Sequence, residues 1–195
     1  ENLFQPFATP WVDLAVWMAA FAYPDVPSTG TLNSFLNLNG FDNITRNADP
    51  KGYFNSGNAS GYLAYSESTK TLALVFRGSD GWLLRDFLDA ALTPEKYLDK
   101  LDGLVLQAKE AFVKGGVYFD TKGKSHSIAV EHFIVAGHSL GGEAAELFAA
   151  LQTGPDGWAS PEKTMVITDG SPGLPERYSV SSAWKASIVS IAHTE

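Results

Sequence analysis

The 195-residue chain contains no cysteine. That absence excludes disulfides, thiol nucleophiles and cysteine-bound metals, and it leaves the redox compartment open. No apolar run approaches the roughly 18 residues that span a bilayer, and no basic segment opens the chain as a signal peptide would. Basic residues are in the minority: 14 Lys and Arg stand against 22 Asp and Glu, a net charge of −8. A surface of that sign has little to offer a phosphate backbone, so nucleic acid is excluded as the main partner. Adsorption driven by anionic lipid is disfavoured for the same reason, whereas apolar insertion into an interface is not. Repeats, H-E-x-x-H and EF-hand patterns and phosphate-binding glycine loops are all missing, and no metal site is read.

What remains is an ordinary globular composition, 45% hydrophobic and 12% aromatic, long enough for one domain with a sizeable core. ENLFQ at 1–5 resembles the recognition sequence of a protease used to remove tags, so these residues are set aside. Residues 6–195 are read as a single domain. Thr9 and Pro10 followed by WVDLAVWMAAFAY read as a capped helix, apolar nearly all round and therefore buried. Residues 24–61, rich in Gly, Asn, Ser and Pro, read as loop with a short helix near 32–38.

Residues 62–66 and 72–76 are strand-like and flank the polar turn SESTK, which predicts an antiparallel hairpin. Helical spacing runs over 82–92 and 94–114, interrupted near Asp102-Gly103. A second hairpin is expected from 117–119 and 127–130. A short apolar strand at 133–136 precedes a helix over 141–151, with Ala144, Leu147, Phe148 and Leu151 on one face. Two more apolar strands, 164–168 and 187–191, follow. This order predicts an α/β fold: a mostly parallel sheet with helices on both faces, preceded by an antiparallel hairpin.

Ser139 sits at the strand-to-helix corner in FIVAGHSLGGEAAELFAAL, with Gly137 and Gly141 two residues to either side. A serine hydroxyl is a poor nucleophile until geometry and a base activate it. The G-x-S-x-G turn supplies the geometry by pushing the side chain clear of the sheet while the next helix aims its N-terminus at it. The glycines stand where a Cβ would strike neighbouring backbone, and the Leu140 N–H would face a developing oxyanion. A plain glycine-rich corner is the alternative, and the strand before and amphipathic helix after argue against it. His138 lies inside the motif, but adjacent residues on such a turn point apart, so it is read as packing beside the site.

GHSLGG, preceded by a strand ending FRGS at 76–79, resembles the class 3 lipases of the α/β-hydrolase superfamily. A third segment, ITDGSPG at 167–173, is similar to that family's T-F-G-x-P strand, with Asp169 where the family has an aromatic residue. The resemblance covers about 61–191. It implies an α/β-hydrolase core, a second oxyanion donor at Ser79 and no cofactor. It implies an ester or lipid substrate and, on the family's habit, a secreted protein. It also puts an amphipathic lid at 82–92, where Trp82, Leu83, Leu84, Phe87, Leu88 and Ala91 gather on one side to meet a lipid–water interface. An ordinary core-packing helix fits that pattern equally well.

Such a serine needs an acid and a histidine later in the chain. IVSIAHTE at 188–195 resembles the strand before the family's acid, with His193 at the H of an H-x-x-D-like pattern. On that alignment the domain lacks its C-terminal part, and acid and base come from beyond Glu195 or from a separate segment. The other reading uses Asp169, at a strand's carboxyl end, together with His193. His126 and His132 precede the elbow. The expected activity is carboxylic ester hydrolysis with Ser139 as nucleophile. The alternatives are a non-catalytic binding protein on the same fold, or an acyltransferase or peptidase.

Overall fold

The structure, a computed structural model, describes residues 9–24, 31–79, 88 and 90–192. Its helices are α1 (Thr9–Ala20), α2 (Leu32–Leu38), α3 (Pro94–Asp99), α4 (Asp102–Lys114), α5 (Leu140–Gln152) and α6 (Ser182–Lys185). The strands are β1 (Asp42–Asn43), β2 (Phe54–Ser56), β3 (Ala59–Ser66), β4 (Thr71–Phe76), β5 (Gly116–Phe119), β6 (Ser125–Ile128), β7 (His132–His138), β8 (Thr164–Asp169) and β9 (Ile188–Ile191). Seven of them form one sheet in the order β1-β3-β4-β7-β8-β9, with β2 also paired to β3. The β3–β4 hairpin is antiparallel, whereas β4, β7, β8 and β9 run parallel. The expected α/β architecture is therefore present, hairpin first.

Side chains alternate across the central strands, as a two-residue period requires. Leu72, Leu74 and Phe76 of β4, Phe133 and Val135 of β7 and Val166 of β8 pack under α3, α4 and α5. Ala73, Val75, Ile134, Ala136, Met165 and Ile167 face the opposite way, onto α1 and α2. Every residue of β3 and β4 is buried, so both sheet faces are covered. Buried tyrosines close the last turn of α1: the Tyr62 hydroxyl donates to the Met18 carbonyl at 2.7 Å and Tyr53 to the Phe21 carbonyl at 2.5 Å. These carbonyls have no intrahelical partner, so the hydroxyls satisfy them without water.

Several expectations change. Helix α1 is one-sided rather than buried all round: Ala15, Met18 and Ala19 face the sheet while Trp17 is 54% exposed. The stretch read as loop holds β1 and β2, whose short polar strands form because β3 supplies their partners. The second hairpin pairs β5 with 125–128, two residues earlier than expected. Its turn closes early because the Asp120 carboxylate accepts from the Lys122 and Lys124 N–H groups, with Gly123 at φ 77°. On α5, Leu151 is 53% exposed and Glu143 takes a place in the buried stripe.

Candidate active site

Strand β7 runs straight into Ser139, and α5 starts at the next residue. Ser139 has φ 56° and ψ −125°, a backbone conformation that L-residues adopt at a cost of about 1–3 kcal/mol. The surroundings hold it there. Its N–H donates to the Asp169 carbonyl at 2.8 Å, and its own carbonyl accepts from the Glu143 N–H at 3.1 Å. A Cβ on Gly137 would lie 2.1 Å from the Gly141 carbonyl oxygen, and one on Gly141 would lie 2.3 Å from the Phe76 carbonyl oxygen. The first turn of α5 therefore rests on the backbones of β7 and β4 with room for hydrogen atoms alone.

The chain after β4 closes on the elbow from the other side. A Cβ on Gly78 would lie 2.4 Å from the His138 carbonyl oxygen and 3.1 Å from the Ser139 Cβ. Phe76 is in register with Gly137, so half-buried Ser79 follows alongside the turn that carries Ser139. Tyr97 of α3 fastens this connection by donating its hydroxyl to the Arg77 carbonyl. Burial drives the Tyr97 hydroxyl well above the usual phenol range, so it stays a donor. Leu140 opens α5, and Ser139 makes no side-chain cap bond there. The leading N–H groups of this thirteen-residue helix have no intrahelical partners, and its dipole favours negative charge at that end.

Among the residues picked out in the sequence, His138 points at α1. Its Nδ1 lies 3.0 Å from the Tyr23 hydroxyl, with the rings edge-on at 5.7 Å. Asp169 ends β8 level with His138 and Ile191, at the same sheet edge as Ser139. His126 lies in β6 and His132 opens β7 at the opposite edge. His193 lies outside the described residues. So does most of the expected lid at 82–92, of which Leu88 and Ala90 to Leu92 are described, with Leu88 and Leu92 exposed.

Sequence reasoning missed Glu143, one helical turn beyond Ser139. It is 1% exposed, and its Oε1 has no hydrogen-bond partner among the described residues. Burial, and then the neighbouring Glu146, push its carboxyl up to about 8. The helix N-terminus favours an anion by about 0.3–1 kcal/mol, whereas burying an unpaired charge costs several kcal/mol. Burial wins, and Glu143 is a neutral acid at pH 7. Glu146 is also raised by burial, offset in part by Thr168, Ser171 and the Leu174 N–H. Glu95 is held low by the Tyr178 hydroxyl at 2.6 Å and by Arg177 at 2.9 Å. Glutamate in a helix ordinarily reads as solvent-facing, which is why the pattern hid it.

No protein-family model matches the chain, and no curated protein matches it by sequence. Solved structures do match. The lipase of Rhizopus microsporus var. chinensis superposes with a TM-score of 0.52 at 19% identity, covering 85% of this chain and 59% of its own. The Lip2 lipase of Yarrowia lipolytica gives 0.50 at 18%, covering 84% and 58%. A triacylglycerol lipase whose catalytic centre is described as a serine protease triad gives 0.53 at 17%, covering 85% and 64%. At such identities the likeness is one of fold: the mixed sheet between helices is that of the α/β-hydrolase lipases. The chain spans about three fifths of these neighbours' lengths.

Proposed function

We propose that this chain carries the nucleophile and oxyanion-binding elements of a carboxylic ester hydrolase of the lipase type, acting on acyl glycerols or phospholipids. The observation that carries the reading is Ser139 itself, held at φ 56° and ψ −125° between β7 and a thirteen-residue helix. A binding protein has no use for that strain, whereas a nucleophile needs the exposure and the helix N-terminus it provides. The likeness of fold to lipases supports the same substrate class.

In the proposed reaction the Ser139 Oγ attacks the ester carbonyl. The N–H groups of Leu140 and Ser79 donate to the oxyanion that forms, each contributing roughly 3–4 kcal/mol. A histidine takes the serine proton and returns it to the leaving alcohol, with an acid orienting the ring. Among the described histidines, His126 and His132 lie away from the elbow's edge and His138 turns to Tyr23. The histidine that shuttles the proton is therefore assigned outside the described residues, either to His193 with Asp169 as its acid or to a segment outside this chain. No step requires a cofactor. A secreted setting goes with this reading, and among the described residues no helix is long and apolar enough to cross a membrane.

The test is covalent labelling with a fluorophosphonate, mapped by mass spectrometry, on this chain alone and on a longer form carrying any following segment. Labelling of Ser139 that disappears in Ser139→Ala is the expected result. If it needs the longer form, base and acid come from there; if it occurs in the chain alone and is lost in His193→Ala, they are internal. A Ser139 that labels in neither form would overturn the hydrolase reading in favour of a non-catalytic protein.

A further inference from the structure

Glu143 is the one first-turn carboxyl of α5, the helix that follows the nucleophile. Helical side chains lean toward the N-terminus of their helix, a tendency that directs its carboxyl toward the turn of Ser139 and Leu140. Its backbone N–H already holds the Ser139 carbonyl at 3.1 Å. The side chain is 1% exposed, and its Oε1 is left without a hydrogen-bond partner among the described residues. Among the described residues, the charges around it are Glu146 on α5 itself, Glu95 on α3, and Arg177 on the segment before α6. Arg177 is committed elsewhere, to Glu95 at 2.9 Å and the Leu92 carbonyl at 2.7 Å. Tyr178 is likewise committed to Glu95.

We propose that Glu143 is a positioning residue that serves the site as an uncharged acid, and that its ionisation switches the site off. Resting on the hydrolase reading above, this adds a control the triad does not contain. A neutral Glu143 leaves the Leu140 N–H and the positive end of α5 to the oxyanion. An ionised Glu143 places a fixed negative charge one turn away. That charge competes for the same helix end and repels the oxyanion through a poorly screened interior. It also pulls the first turn of α5 toward water, and Gly137 and Gly141 leave that turn no slack. The upward displacement of Glu143 by burial and by Glu146 sets the change near pH 8.

The experiment is the rate of fluorophosphonate labelling of Ser139 between pH 6 and 10, in whichever form of the protein labels, for wild type, Glu143→Gln and Glu143→Asp. Expected is an alkaline fall of about tenfold or more, a size set by the charge competition, centred near pH 8. It should be absent in Glu143→Gln and kept, at a displaced midpoint, in Glu143→Asp. Carbon-13 carboxyl titration of the wild type is the second readout, independent of catalysis. A glutamate titrating near pH 8 and missing from Glu143→Gln supports the assignment; Glu143 titrating below pH 6 overturns it. An alkaline fall that persists unchanged in Glu143→Gln overturns it as well. Wild type that never labels overturns the hydrolase reading together with this role, whereas labelling with an unaltered profile overturns this role alone.

Discussion

The two ends of the parallel sheet handle charge in opposite ways. At the end where β4 and β7 begin, every ionised group of the local cluster has a partner. His126 lies between Glu67 at 2.5 Å and Asp120 at 2.8 Å and stacks on Tyr118 with centroids 5.0 Å apart. The Tyr118 hydroxyl donates to Asp42 at 2.7 Å, and Lys70 pairs with Glu131 at 3.0 Å. This cluster fastens the β5–β6 hairpin to the main sheet. At the other end Ser139 is strained, and among the described residues a buried Glu143 oxygen and the buried Arg77 Nε find no hydrogen-bond partner. Satisfied polar groups are what a structural joint requires. The strained backbone of Ser139 and the unsatisfied carboxyl oxygen of Glu143 one helical turn away are what stability alone would have removed.

Mutations can break this contrast. The largest effect is expected at Ser139→Ala, which should abolish labelling while leaving thermal unfolding close to wild type. Next comes Gly141→Ala, whose Cβ would meet the Phe76 carbonyl oxygen at 2.3 Å. Overpacking of this kind costs about 1–3 kcal/mol or more, readable as a drop in the urea midpoint. A change smaller than about 0.5 kcal/mol, the range of an ordinary surface substitution, would mean that the elbow is not tightly held.

A smaller effect is expected at the far end, and it carries a sign. His126 is raised above its ordinary value, first by Asp120 and then by Glu67, so the folded protein binds its proton more tightly than the unfolded chain. Its stabilising contribution is complete below about pH 6.5 and is lost as pH rises through the raised value. Asp120 is lowered to about 2, chiefly by His126, so its share is present above about pH 4 and fades as pH falls toward 2. His126→Gln should therefore destabilise more at pH 5 than at pH 9, with labelling of Ser139 unaffected at pH 7. An equal loss at both pH values would remove the charge from the explanation. Smallest of all, Lys70→Ala opens an exposed pair and should leave the unfolding midpoint unchanged within error.

Legibility in the sequence followed the same divide between strong local pattern and borrowed support. The β3–β4 hairpin, α2 and the elbow were readable because alternation, capping and glycine spacing act over a few residues. Strands β1 and β2 were not, since two or three polar residues become a strand through pairing with β3. The β5–β6 register slipped because Asp120, outside the apolar pattern, closes the turn. Glu143 was hidden inside a helix whose apolar face was drawn through Leu151, and only packing reveals which of the two is covered. The spacing around Ser139 pointed to the sheet edge where Ser79, Leu140 and Asp169 come together. It did not point to Tyr97, which holds the chain after β4 from α3.

The turn at Ser139 touches three strands at once: it continues β7, donates to the last carbonyl of β8, and has its helix seated on the last carbonyl of β4. No two of these strands could hold it without the third. A partly assembled sheet would thus contain the serine but lack the conformation that the proposed nucleophile requires. On the proposed hydrolase reading, reactivity at this position would report completed folding, and immature chains would be spared a reactive group they could not yet shield.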